Sequence, residues 1–391
     1  MKPQKQTEKI IVVAVLSLLF ALSHCAADSI RGDSQIGLVL SGGGAKGAYE
    51  VGVWEVLKET HVADDIGAIS GTSIGAINAA LFASVKNHDV IKSIWLDEIN
   101  GILSISANAL AMFGTPEERA SEALLRKRHI EEDVRAEAKK RNIPTNALPE
   151  TVLSEIVDRC YSVSAKKLLL QHGGSRLCAA VCGFLADGRS DGFLATKGLQ
   201  DVARNTLPPR WEQSAPHTYA TALRKLPSNE FSKEVFALNK VDAETRIEMI
   251  CASASVPVFF GTFSVKGEAY VDGGWEEKGG DNVPIAPILD KHPEIKTIIV
   301  VYLKDERHIK PAQRDRVRGA AKKKGVRLVE IIPSEDIGGS FGGWEGMFDD
   351  SPDTARRLID LGSKDARKVL EEAGLGKVSL EHTQVRSSAS P

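Results

Sequence analysis

Three short stretches carry residue types that could do chemistry together. Ser73 lies in Gly71-Thr72-Ser73-Ile74-Gly75, a G-x-S-x-G whose flanking glycines permit a turn tight enough to present the hydroxyl as a nucleophile. Gly42-Gly43-Gly44-Ala45-Lys46-Gly47 supplies consecutive backbone N–H groups with no side chain in the way, a ready cradle for a transient oxyanion. Tyr270-Val271-Asp272-Gly273-Gly274 places a carboxylate before a turn, where it could take the Ser73 proton. An ordinary aspartate is a weak base, with a pKa of about 3.9, so such a pair must lean on the oxyanion donors and on water exclusion.

Each stretch needs an element to hold it. Ile36 to Leu40 is a short apolar run ending at the glycine cluster and reads as a buried strand. Val51, Trp54, Val56 and Leu57 recur at helical spacing within a predicted helix from Ala48 to Glu59. Gly67 to Ser70 reads as a second strand and Ile74 to Val85 as an alanine-rich helix, so Ser73 falls at a strand-to-helix turn. This alternation predicts an α/β fold with a mainly parallel central sheet. Further strands are expected over 218–223, 234–239, 268–271, 297–303 and 326–333, a loop near 340–344, and a closing helix over 351–373.

The glycine loop has a second reading. Gly42-x-Gly44-x-x-Gly47 after a strand matches the dinucleotide-binding fingerprint of an oxidoreductase. That reading wants an acidic residue at the end of the second strand, where Ser70-Gly71-Thr72-Ser73 stand instead, with Asp64 and Asp65 ahead of the strand. A P-loop needs Ser or Thr after Lys46, and Gly47 follows. A Ser–His–Asp order would need a histidine after Asp272; His292, His308 and His382 all lie in polar stretches and read as surface residues.

The ordered set of Gly42-Gly43-Gly44-x-Lys46-Gly47, Gly71-x-Ser73-x-Gly75 and Asp272-Gly273-Gly274 resembles the patatin-like phospholipases. Ala252-Ser253-Ala254-Ser255-Val256-Pro257 and Asn282-Val283-Pro284 fit the same pattern. The resemblance implies a three-layer α/β fold and lipid acyl hydrolase activity without a calcium requirement or other cofactor. It implies Ser73 as nucleophile, Asp272 as base and the Gly42, Gly43, Gly44 loop as oxyanion hole, with Lys46, Gly47, Gly71, Gly75, Gly273 and Gly274 as supporting motif residues. A phospholipid or lysophospholipid substrate at a membrane or micelle surface is then expected. Acyl transfer to an acceptor other than water, or lipid binding without turnover, would fit the same residues.

The rest of the chain bounds these readings. The 391 residues carry a net charge of −2, with 50 Lys+Arg against 52 Asp+Glu, so bulk charge gives nucleic-acid binding no support. Lys2, Lys5 and Lys9 before the apolar run Ile10–Leu22 and the small residues to Ala27 read as a secretory signal peptide over 1–27, hence an exported protein. Leu22-Ser23-His24-Cys25 is an imperfect lipoprotein box. A catalytic domain is expected over 34–375, with a charged helical insertion at 105–150 and a loose tail at 376–391. Cys160, Cys178, Cys182 and Cys251 read as buried free thiols. Lys46 could meet a headgroup phosphate, Trp344 and Phe348 an acyl chain. The basic run from Arg314 to Arg327 fits a solvated helix or an anionic membrane contact.

Overall fold

The computed structural model describes residues 35–98, 131–132, 134–149, 152, 196–257, 260–338 and 352–375. The leader at 1–27, the insertion up to residue 130, Cys160, Cys178, Cys182, Trp344, Phe348, His382 and the tail at 376–391 lie outside the described residues. Residues 134–141 of the charged segment are helical, with Arg135–Glu131 and Arg141–Glu137 paired at i,i+4 on an exposed face.

The described strands are β1 Ile36–Leu40, β2 Ile66–Thr72, β3 His217–Lys225, β4 Phe231–Ala237, β5 Phe263–Val265, β6 Glu268–Asp272, β7 Thr297–Val301 and β8 Arg327–Ile331. They form one sheet in the order β5-β6-β3-β2-β1-β7-β8, with β4 also paired to β3. The β3-β2-β1-β7-β8 run is parallel throughout, and the antiparallel pairs are confined to β4, β5 and β6. The sheet is therefore mainly parallel, as the alternating strand–helix pattern implied.

Two separate apolar clusters explain why β1 and β7 are apolar on both faces, apart from Gly37 and Thr297. Leu38, Leu40, Ile299 and Val301 face one cluster, built with the helices Ala48–Glu59, Ile74–Ser84 and Pro352–Glu372. Val39, Ile298 and Val300 face the other, closed by Ala286–Lys291 and Pro311–Lys324. A parallel strand buried on both faces must read as a continuous apolar run. On the first face the helices Ala48–Glu59 and Pro352–Glu372 cross at two glycines. A Cβ on Gly52 would fall 1.9 Å from the Ile359 carbonyl oxygen, and one on Gly362 would fall 2.1 Å from that of Tyr49. Tyr49 seals the same crossing by donating its hydroxyl to Asp365 at 3.0 Å.

Three expectations need correction. The fourth strand runs over 231–237 rather than 234–239, because Asn239 leaves the ladder and caps Thr218 N with its Oδ1 at 2.6 Å. The short strand β5 was not expected; it closes a hairpin on β6 through Lys266 and Gly267, both at positive φ. His292 is buried, not a surface residue. Its Nε2 meets Tyr219 Oη at 2.8 Å and its Nδ1 meets Glu294 at 2.8 Å, beside the His217 ring at the start of β3. Cys251 is a buried free thiol, as expected, and burial pushes its pKa well up.

Candidate active site

The sheet brings Ser73 and Asp272 together in a way that depends on β3. Strand β2 runs parallel to β3, with Thr72 opposite Thr221. Strand β6 runs antiparallel to β3, with Asp272 opposite the next residue, Ala222. Because β4 pairs with Tyr219 to Lys225 along the far edge, β2 and β6 must share the near edge. Their C-terminal ends therefore meet head to head, and residues far apart in the chain become neighbours across one ladder step.

Ser73 caps the helix Ile74–Ser84 with φ 57 and ψ −127, a conformation that side-chain-bearing residues rarely adopt. The flanking glycines make it possible by allowing close approach. A Cβ on Gly71 would fall 2.1 Å from the Gly75 carbonyl oxygen, and one on Gly75 would fall 2.5 Å from that of Leu40. The turn is held from below, since Ser73 N donates to Ser253 Oγ at 3.1 Å and Ser253 Oγ donates to Thr221 O at 2.6 Å. Strain retained at a well-buttressed turn is common at functional sites.

Asp272 is buried, and Gly274 N donates to its Oδ1 at 2.6 Å. Burial pushes its pKa up to about 6, although the hydrogen bonds offered by Ser73 and Gly274 favour the carboxylate. The Ser73 hydroxyl thus acts on this carboxyl, yet Oδ2 closes no hydrogen bond of ordinary geometry among the described residues. A hydroxyl rotor turns readily, and catalytic hydrogen bonds of this kind tighten when substrate binds.

The glycine loop leaves β1 and passes over Ser73; a Cβ on Gly42 would fall 3.1 Å from Ser73 Cβ. The expected oxyanion role of Gly42 needs correction, because its N–H already donates to Asn282 O at 3.2 Å. The N–H groups of Gly43 and Gly44 make no bond to a described residue, and Gly44 adopts φ 63 at the start of the Gly44–Gly47 turn. Lys46 is buried, not projected into solvent. Burial first and the neighbouring Lys304 second lower its pKa to about 8. Behind the loop, Glu50 is fully buried, and burial raises its pKa well above its ordinary value. Asn78 Nδ2 donates to Glu50 at 2.8 Å and to Gly47 O at 3.0 Å, while Trp95 Nε1 donates to Asn78 Oδ1 at 3.0 Å.

A cavity of about 300 Å³ lies beside Trp54, Ile66, Phe82 and Pro216, at the N-terminal end of β2 and away from Ser73. Its charged rim is internally paired, Lys58 with Asp64 and Lys86 with Glu212. The basic run forms the helix Pro311–Lys324, but much of its charge is spent inside the fold. Arg314 pairs with Glu306 and Glu330, Arg316 with Asp281, Arg318 with Glu330 and Lys324 with Asp290. Sequence reading missed Arg316 as a neighbour of the site, because its partner Asp281 is 35 positions away and no local pattern couples them.

The family model for patatin-like phospholipases matches residues 38–289, which includes all three motifs. The chain belongs to the patatin-like phospholipase family. Lysophospholipase nte1 of Aspergillus terreus is 52% identical over 68 residues, covering 17% of this chain and 4% of that protein. Patatin-like phospholipase domain-containing protein 7 of Rattus norvegicus is 35% identical over 105 residues, covering 25% of this chain and 8% of that protein. These matches thus span a small fraction of either relative. Among solved structures, human GIVD cytosolic phospholipase A2 aligns at TM-score 0.42 and 9% identity, covering 87% of this chain and 59% of that chain. VipD from Legionella pneumophila aligns at 0.38 and 15%, covering 87% and 67%. Membership in the patatin-like family rests on the family model. The dinucleotide reading gains nothing from it, since no Asp or Glu stands at the end of β2.

Proposed function

We propose that the protein hydrolyses fatty-acyl esters of phospholipids or lysophospholipids, with Ser73 as nucleophile and Asp272 as base. The observation that carries this reading is the meeting of a strained Ser73 and a buried Asp272 at the abutting ends of β2 and β6. Ser73 Oγ attacks the ester carbonyl carbon while its proton passes to Asp272. The N–H groups of Gly43 and Gly44 receive the oxyanion, where one preorganised donor is worth about 3–4 kcal/mol. Collapse of the tetrahedral intermediate breaks the ester C–O bond, and the leaving alkoxide takes the proton from Asp272. A water then gives its proton to Asp272 and attacks the acyl-serine, releasing the fatty acid and restoring the hydroxyl.

A fluorophosphonate probe tests the nucleophile directly. Wild-type protein should label at one serine, and Ser73→Ala should label at none while losing phospholipid turnover by about 10³-fold or more. Labelling of Ser73→Ala at the wild-type rate would remove Ser73 from the chemistry.

The pH profile tests the base and the role of Lys46 separately. Only the carboxylate of Asp272 can accept a proton, so turnover of an uncharged ester should rise with pH through about 6. With an anionic phospholipid a second, falling limb near pH 8 is expected as Lys46 loses its charge. An alkaline limb of equal size on both substrates would take the headgroup role from Lys46.

A further inference from the structure

The three motif loops converge on a two-residue segment that belongs to none of them. Asp281 N donates to Gly273 O at 2.7 Å, and Thr72 Oγ1 donates to Asp281 O at 2.7 Å. Asp281 therefore holds the residue before Ser73 and the residue after Asp272 through its own backbone. Its neighbour Asn282 holds the glycine loop twice, since Gly42 N donates to Asn282 O at 3.2 Å and Asn282 Nδ2 donates to Gly42 O at 3.2 Å. Asn282 Oδ1 fills the space a side chain would need on either side. It lies 2.4 Å from a Cβ built on Gly42 and 2.5 Å from one built on Gly274.

This segment is pinned by charge. The Asp281 side chain is only 4% exposed, and Arg316 from the helix Pro311–Lys324 donates to it twice, Nη2 to Oδ1 at 2.6 Å and Nη1 to Oδ2 at 3.2 Å. Arg316 Nη2 also reaches Val283 O at 3.4 Å, and Lys233 Nζ approaches Oδ2 at 3.5 Å from β4. A bidentate guanidinium–carboxylate pair fixes direction as well as distance. The Arg316 side chain is 41% exposed, so the pair is anchored on a buried acid but reached from the surface.

We propose that Arg316, acting through Asp281 and Asn282, is a positioning residue that sets the elbow, the glycine loop and the Asp272 turn relative to one another. This rests on the reading of Ser73 and Asp272 as the reacting pair. Arg316 touches none of the reacting atoms; it limits how far Thr72, Gly42 and Gly273 can drift from one another. A displacement of about 1 Å at reacting groups can cost on the order of 10²-fold in rate, so a loosened brace should be visible in the chemistry.

The test measures the rate constant of fluorophosphonate labelling, with the number of labelled sites titrated separately, alongside KM for a soluble ester. Wild type and Ser73→Ala are run first, so that a failure of the nucleophile is seen before any failure of the brace. With Ser73 labelling established, Arg316→Gln should slow the labelling rate constant about tenfold or more, with KM changed less than twofold. Arg316→Lys should recover part of that loss. Asp281→Asn keeps the backbone bonds and an acceptor for Val283 N, and removes only the charge, so it should slow labelling without emptying the population of labelled sites. Wild-type rate constants in both Arg316→Gln and Asp281→Asn would overturn the proposal. So would fewer labelled sites at an unchanged rate constant, which is what a purely structural contact would give. If Arg316→Gln yields no folded protein, Asp281→Asn and Arg316→Lys decide by the same criterion.

Discussion

Asp272→Asn should melt at a higher temperature than wild type at pH 7 while losing about 10³-fold or more of its ester turnover. The opposite directions follow from one cause. Burial raises the Asp272 pKa from the ordinary value of about 3.9 to about 6. At pH 7 the carboxyl is ionised in both the folded and the unfolded chain, and the folded chain bears the cost of the buried charge. A folded pKa above the unfolded one means that the fold is destabilised once pH exceeds the unfolded value, fully so above the folded value. At 1.36 kcal/mol per pKa unit, that cost is on the order of 2–3 kcal/mol at pH 7. It falls to about 0.5 kcal/mol at pH 4, where the folded chain is protonated and the unfolded chain about half so, and vanishes below about pH 3. Asparagine removes the charge and keeps an acceptor for Gly274 N. Melting curves at pH 4 and pH 7 check the argument. A gap between variant and wild type that is absent at pH 7, or equally large at pH 4, would show that the carboxylate is not held at a cost. A gap that is large at pH 7 and small at pH 4 would mark the site as a trade of stability for reactivity of the kind common in enzymes.

Gly52→Val should destabilise the fold by about 3 kcal/mol or more, because a Cβ there must displace the Ile359 backbone rather than a side chain. The loss should appear as release of the helix Pro352–Glu372. Limited proteolysis under native conditions should cut that helix before any strand of the sheet. Gly319, in the middle of the helix Pro311–Lys324, is the control. Nothing lies within 4 Å of a Cβ built there, and its φ is not in the left-handed region. Gly319→Ala should therefore stabilise by about 0.5–1 kcal/mol, as expected for a helical glycine with open space. Equal melting temperatures for Gly52→Val and wild type would mean that the two helices do not cross as described.

The parts of this molecule that could be read in advance are those written locally. The apolar runs of β1 and β7, the helical spacing of Val51, Trp54, Val56 and Leu57, and the glycines around Ser73 each announce their own conformation within a few residues. The placement of Ser73 between a strand and a helix followed from those signals. What could not be read depends on contacts between distant segments. The burial of His292, at the end of the helix Ala286–Lys291, comes with its contact to Tyr219 on β3, although its own chain neighbours are polar. The commitment of the Gly42 N–H to Asn282, and of Arg316 to Asp281, exists only after the sheet has formed. Arg316 sits in a run of like charges, and no one-dimensional pattern distinguishes a cation held by a buried acid from one left in water. Family resemblance drew attention to Asn282, but it did not disclose that its amide grips the glycine loop.

The end-to-end arrangement of β2 and β6 on one edge of β3 has a consequence for how this scaffold can vary. The separation of Ser73 from Asp272 is counted in rungs of β3, from Thr221 to Ala222, and not in the length of chain between them. Segments joining the helix Ile74–Ser84 to β3 can grow, shrink or be exchanged without moving one residue relative to the other. A single residue inserted between Thr221 and Ala222 would do the reverse, parting the two ends by about 3.3 Å and turning the following side chains to the opposite face. Strand β3 is in this sense a ruler, and the chemistry tolerates almost any edit that leaves its graduations intact.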